Sequence, residues 1–143
     1  MALKKIQRAA IQQIRTVNRT LTTTIEDSDV TNIVSLRVTD APVGWECIPI
    51  ITAYIQATGA SARVKINNDG NVVAFLQLQE SVSGSGFIRM QASSVGERFT
   101  VTNALITVDT DAFGTGDALY GSNVVSDAPS RVDYLFFPPG SFE

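Results

Sequence analysis

Cys-Ile-Pro-Ile-Ile-Thr-Ala-Tyr-Ile-Gln-Ala, residues 47–57, decides the fold, because no other segment of the chain is so apolar without showing a helical stripe. Thr, Tyr and repeated Ile favour extended backbone. Both alternating faces carry bulk, with Ile48, Ile50 and Tyr54 on one and Ile51, Ala53 and Ile55 on the other. A strand that is apolar on both faces must be covered on both, which places it inside a sandwich, a barrel or a subunit contact.

The same period of two extends outward on either side. Upstream, Val34, Leu36 and Val38 alternate with Ser35 and Arg37, predicting a half-buried strand over 31–39, and residues 40–44 turn the chain into the central strand. Downstream, Ala62, Val64 and Ile66 alternate with Arg63 and Lys65. Asn67-Asn68-Asp69-Gly70 then reads as a hairpin turn, because these residue types tolerate positive φ. The return strand over 71–80 sets Val72, Ala74, Leu76 and Leu78 on one face. A Ser/Gly loop at 81–86, a strand over 87–92 and a long strand over 97–109 follow. Residues 109–121 read as a loop with a short strand near 119–125, and 131–137 as a last, aromatic strand. About eight short strands with no helices between them predict a mainly β domain over 30–143, an antiparallel β-sandwich or jelly roll.

Residues 2–22 carry a different period. Leu3, Ile6, Ala10, Ile14, Val17 and Leu21 recur at steps of three and four, which predicts one N-terminal amphipathic α-helix. Lys4, Lys5, Arg8, Arg15 and Arg19 are the only charged residues before Glu26, so this part is at +5; the remainder, with six basic and fourteen acidic residues, is at −8. Thr22, Thr23 and Thr24, followed by Glu26, Asp27 and Asp29, suit a hinge. The chain accordingly divides into an arm at 1–25 and a sandwich at 30–143. An apolar stripe of this length needs a surface, either its own sandwich, a partner or copies of itself in a short coiled coil.

The chain has no histidine, which removes Ser-His-Asp and Cys-His catalysis and His-ligated zinc. Its single cysteine, Cys47, lies in the apolar stretch and reads as an inert buried thiol. Asp109, Asp111 and Asp117 form the one cluster that could offer calcium several carboxylates around a glycine turn. Phe113 stands where a further ligand would be needed, and the same residues suit a polar turn. Trp45 and Tyr120, with Tyr54 and Tyr134, could build a platform for stacking on sugar rings, or could be core. The N-terminus has no apolar core of a signal peptide, and no uncharged run reaches the ~20 apolar residues that span a bilayer. The chain therefore reads as soluble.

A basic amphipathic arm, a threonine-rich hinge, a histidine-free Ser/Thr/Asn-rich β body and the tail Phe136-Phe137-Pro138-Pro139-Gly140-Ser141-Phe142-Glu143 together resemble the small accessory structural proteins of virus particles. Bacteriophage decoration, fibre-base and spike proteins are the nearest in style. The resemblance is architectural and extends over the whole chain. It implies a non-enzymatic virion component without cofactor, a homo-oligomer and often a homotrimer, held by its arm to a capsid, tail or vertex protein. Leu3, Ile6, Ile14, Val17 and Leu21 would then be attachment or trimer contacts. Lys4, Lys5, Arg8, Arg15 and Arg19 would meet an acidic partner, and the loops at 81–86 and 109–121 would be exposed. The alternative is a carbohydrate-binding, lectin-like module using Trp45 and Tyr120. Nucleic-acid binding by the arm ranks below both, and an enzyme last.

Overall fold

Residues 47–57 form β3 (Glu46–Ala57), the strand on which the larger sheet is built. The computed structural model describes residues 14–58, 62–77 and 88–142, and none of these is helical. Along one edge of β3 run β10 (Arg131–Phe137) and then β9 (Ala118–Leu119); along the other run β7 (Phe99–Thr100) and then β6 (Ile88–Val95). Pro49, which has no N–H to give a ladder, lies just before β6 begins to pair, at Ile50. β1 (Arg15–Thr20) adds to the outside of β10, and β2 (Ile25–Glu26) to β9, so seven strands share the sheet. A second sheet of three strands, in the order β5 (Asn71–Gln77), β4 (Arg63–Asn68), β8 (Ile106–Asp111), faces it. All pairings are antiparallel.

One hydrophobic cluster fills the space between the sheets. Ile51, Ala53 and Ile55 of β3 meet Val64 and Ile66 of β4 and Ile106 and Val108 of β8. The mainly β, antiparallel expectation therefore stands, with the strands of the described residues divided seven and three between two sheets. The hairpin at 67–70 also stands: Asp69 and Gly70 take φ of 55° and 79°, as a two-residue turn with matching twist requires.

Four expectations are corrected. The predicted helix over 2–22 does not hold from residue 14 onward, because Ile14 is not helical and Arg15–Thr20 pairs residue for residue with β10; residues 1–13 lie outside the described part. Thr16, Val17 and Thr20 are β-branched and suit the strand, and Val17 and Leu21 face inward in period two as readily as they recur on a helix. The division of the chain at 25–30 consequently cuts through the large sheet. Second, 31–39 is no strand but a turn held against the small sheet. Asn32 stands at φ 51°, Leu36 and Arg37 donate back to the Ile33 carbonyl, and the single ladder contact is Val38 with Ile106. Ile33, Leu36 and Val38 are buried while Val34 is exposed.

The third correction concerns 97–109, which breaks into β7 and β8 in different sheets. Buried Asn68 explains the break. Its side-chain oxygen accepts from the N–H and hydroxyl of Thr102 at 2.9 and 2.7 Å, and its amide donates to the Asn103 carbonyl. Lastly, the loop at 109–121 is not an exposed one: Phe113, Asp117, Ala118, Leu119 and Tyr120 are all buried. Gly121 closes it against the chain after β1, where a Cβ would come within 3.0 Å of the backbone of Leu21, Thr22 and Thr23.

Candidate functional site

Each aspartate proposed for calcium has another partner. Asp117 accepts the Thr58 N–H at 2.9 Å on one oxygen and the Gly114 N–H at 2.8 Å on the other. Asp109 accepts the Asn32 N–H at 2.7 Å and the Asn67 amide at 2.9 Å. Asp111 is bound by the Arg63 guanidinium at 2.6 Å, with Lys65 at 3.7 Å, and this hydrogen bond above all holds its carboxyl below the usual carboxylate value. Two further carboxylates act in the same way, Asp29 accepting from the Phe113 N–H and Asp27 from the Gly116 N–H. Asp27, Asp29 and Asp117 thus cap the turns around residues 112–117, and no cluster among the described residues is arranged to hold a metal ion. The turn reading of the acidic stretch is the one its geometry fits.

The aromatic platform is likewise not assembled. Trp45 precedes β3, whereas Tyr120 lies beside Tyr54, so nine residues of extended strand, roughly 30 Å, separate them. Tyr120 is buried, its ring edge-on to Tyr54 at 5.2 Å, and its hydroxyl donates to the Gln56 side-chain oxygen at 2.9 Å. That oxygen also accepts from Arg89, and the Gln56 amide donates to the Gly116 carbonyl. Trp45 packs half-buried against the core, and Tyr134 is wholly buried with its hydroxyl on the Leu36 carbonyl. Cys47 is buried too, and desolvation pushes its thiol up to about 12, which leaves it unreactive at neutral pH.

Of the arm contacts, Leu3, Lys4, Lys5, Ile6 and Arg8 lie outside the described residues. Leu21 is core, and half-buried Val17 packs against that core. Arg15 pairs with Asp40 at 2.9 Å, and Arg19 donates to the Arg37 carbonyl. Ile14 remains exposed at the start of β1.

What reading the sequence missed is the outer face of the large sheet. Residues directly opposite in an antiparallel pair share a face. Ile48 opposes Leu135 and Ile50 opposes Val95; Phe137 continues the row two residues beyond Leu135, and Phe142 stands edge-on to Phe137 at 4.9 Å. Ile48, Ile50, Leu135 and Phe137 are half-buried, Phe142 is exposed, and Val95 is 67% exposed. These six side chains make one apolar surface across β6, β3 and β10. Ion pairs edge it, Arg131 with Asp133 at 3.4 Å and Arg98 with Glu46 at 3.8 Å, and the Arg98 guanidinium lies 4.3 Å over the Phe142 ring. The signal was present in the two apolar faces of 47–57: the inner face is covered, and the outer is not fully covered by the described residues.

A second surface feature is a groove of about 850 Å³ between β5 and β6, lined by residues 72–77 and 92–97. Residues 78–87, which join these strands, lie outside the described part. Among the described residues no helix is long and apolar enough to cross a membrane.

No protein-family model matches the chain, and no curated protein matches it. Among solved structures it is similar over 88% of its length to dimeric latent PorU from Porphyromonas gingivalis, with 9% identity and a TM-score of 0.48, and it spans 13% of that chain. It is also similar over 87% of its length to the C-terminal domain of EclA, a sugar-binding protein, with 15% identity and a TM-score of 0.35, spanning 74% of that chain.

Proposed function

We propose that this chain is a non-enzymatic structural subunit that self-associates through the outer face of its larger sheet, and that it serves as an accessory part of a virus particle, the class its sequence resembles. The observation that supports this is the apolar surface of Ile48, Ile50, Val95, Leu135, Phe137 and Phe142. Scattered exposed apolar residues are ordinary, but a contiguous apolar patch edged by charges marks a protein contact. A non-enzymatic role is supported by how the acidic groups are used: Asp27, Asp29, Asp109 and Asp117 hold backbone N–H groups, and Asp111 is held by Arg63.

Light scattering tests the reading. The full chain should be a multimer, and Leu135→Glu or Ile48→Glu, each placing a charge on the outer face, should reduce it to a monomer with unchanged circular dichroism. A variant that keeps the parental mass, or a parent that is monomeric at every concentration, would overturn it. A carbohydrate-binding reading draws on another part of the same sheet, where half-buried Tyr54 opposes exposed Gln91 and Thr52 opposes Ser93, a ring beside small polar groups. Glycan-array binding lost in Tyr54→Ala would favour it.

A further inference from the structure

We infer that the outer edge of β1, with Arg15, Arg19 and Arg37 beside it, takes an acidic segment of another protein in extended conformation as an added strand. The contact is separate from the outer apolar face. Val17 packs against the core, so Arg15 and Arg19, two residues to either side of it, lie on the inward side of β1. There they reach residues 37–40, which run along the wall of the sandwich. Among the described residues β1 pairs with β10 alone and ends the sheet. An edge strand of this kind presents a row of N–H and C=O groups with which a further strand can pair.

The charges select an acidic occupant. Arg15 pairs with Asp40 at 2.9 Å. Arg19 donates from Nε to the Arg37 carbonyl and from Nη1 to the Asn18 carbonyl, both at 3.1 Å, so neutral acceptors hold it in place. No carboxylate of the described residues forms an ion pair with Arg19 or Arg37. Three bases against one acid leave this wall at +2, on a chain whose net charge is −3. The planar fork of a positioned guanidinium fits a carboxylate through two parallel hydrogen bonds. Arg15 and Arg19 stand four residues apart on one side of a strand, roughly 13 Å, and so match acidic side chains four residues apart on an antiparallel neighbour.

The chain's own acids are engaged elsewhere. Asp27, Asp29, Asp109 and Asp117 hold backbone N–H groups, while Glu46, Asp111 and Asp133 pair with Arg98, Arg63 and Arg131. Among the described residues, then, neither the chain's own body nor a second copy offers an extended acidic segment. A nucleic acid would bring anions but has no use for a ladder edge, and the rest of the chain, at −5 once the wall's +2 is set aside from −3, repels it.

Fluorescence anisotropy of a labelled, end-capped peptide, Thr-Glu-Val-Thr-Val-Glu-Thr, against the full chain tests the inference. The peptide should bind, and more weakly as salt rises. Arg19→Gln combined with Arg37→Gln, with circular dichroism unchanged, should weaken binding roughly tenfold. Lys65→Gln, which removes a base from the small sheet, should leave it as it is. Should the double variant not fold, Arg19→Lys keeps the charge, loses the fork and should still bind the peptide less well. The fully N-methylated peptide keeps its charges but cannot donate to a ladder, and should not bind; equal binding would overturn strand addition. A peptide that fails to bind the parent at millimolar concentration, or binds the arginine variants equally well, would overturn the inference. So would a short oligothymidylate that binds more tightly than the peptide and loses affinity in the same variants, which would make the wall a nucleic-acid contact.

Discussion

Asp117 illustrates how the acidic side chains act one by one. It is buried, and its two oxygens join Thr58 on one side to Gly114 on the other. Asp117→Ala leaves those N–H groups without their acceptor, which should cost roughly 1–3 kcal/mol of unfolding free energy in urea titrations. Millimolar calcium or a chelator should leave the melting temperature of the parent unchanged; a calcium-dependent rise would reinstate a metal site. Asp111 carries a pH dependence. Its pairing with Arg63 lowers its folded value below the usual 3.8, so the folded state gains stability above that pH and loses it as pH falls through the lowered value. Arg63→Gln should therefore be less stable than the parent at neutral pH, with the gap closing below pH 3.8. A pair this open to solvent contributes at most about 1 kcal/mol, so a larger gap, or one that persists in acid, would assign Arg63 a different role.

At the scale of elements, β1 marks where sequence and structure part. Steps of three and four among Val17, Leu21 and the residues before them satisfy a helical face, yet Thr16, Val17 and Thr20 lose rotamer freedom in a helix and gain partners on an edge strand. What the periodicity omits is the free edge of β10, a strand far away in sequence, which decides the outcome through the ladder from Arg15 to Thr20. The hairpin of β4 and β5 was legible because its turn chemistry is local, and β3 and β10 because their apolar runs are dense. The break between β7 and β8 was not, since it depends on Asn68 reaching Thr102 across the fold. The outer-face patch was half legible: the two apolar faces of β3 were plain, but which one stays open depends on the partner strands. A direct test follows from β1. A chain beginning at Val30 lacks β1, Leu21 and Ile25, the last two buried, and should lose the cooperative thermal transition. A chain beginning at Ile14 should keep it. Cooperative melting of the shorter chain would mean that the sheet does not need β1.

For the molecule as a whole, one core cluster spans both sheets, from Leu21 and Ile51 on one side to Ile66 and Val108 on the other, so the sheets should unfold together in one transition. Coupling to association then becomes measurable. If folded copies bind one another and unfolded copies do not, mass action stabilises the fold as concentration rises. A tenfold increase is worth up to about 1.4 kcal/mol, which for a domain of this size raises the melting temperature by roughly 3–6 °C. The full chain should show that rise, and Leu135→Glu should melt at one temperature across the range, because its outer face no longer takes part. The comparison also separates the contact from the fold. A variant that melts lower than the parent but still shifts with concentration has lost packing and kept its partner. One that matches the dilute parent and does not shift has lost the interface alone, and that is the behaviour the half-buried position of Leu135 leads us to expect.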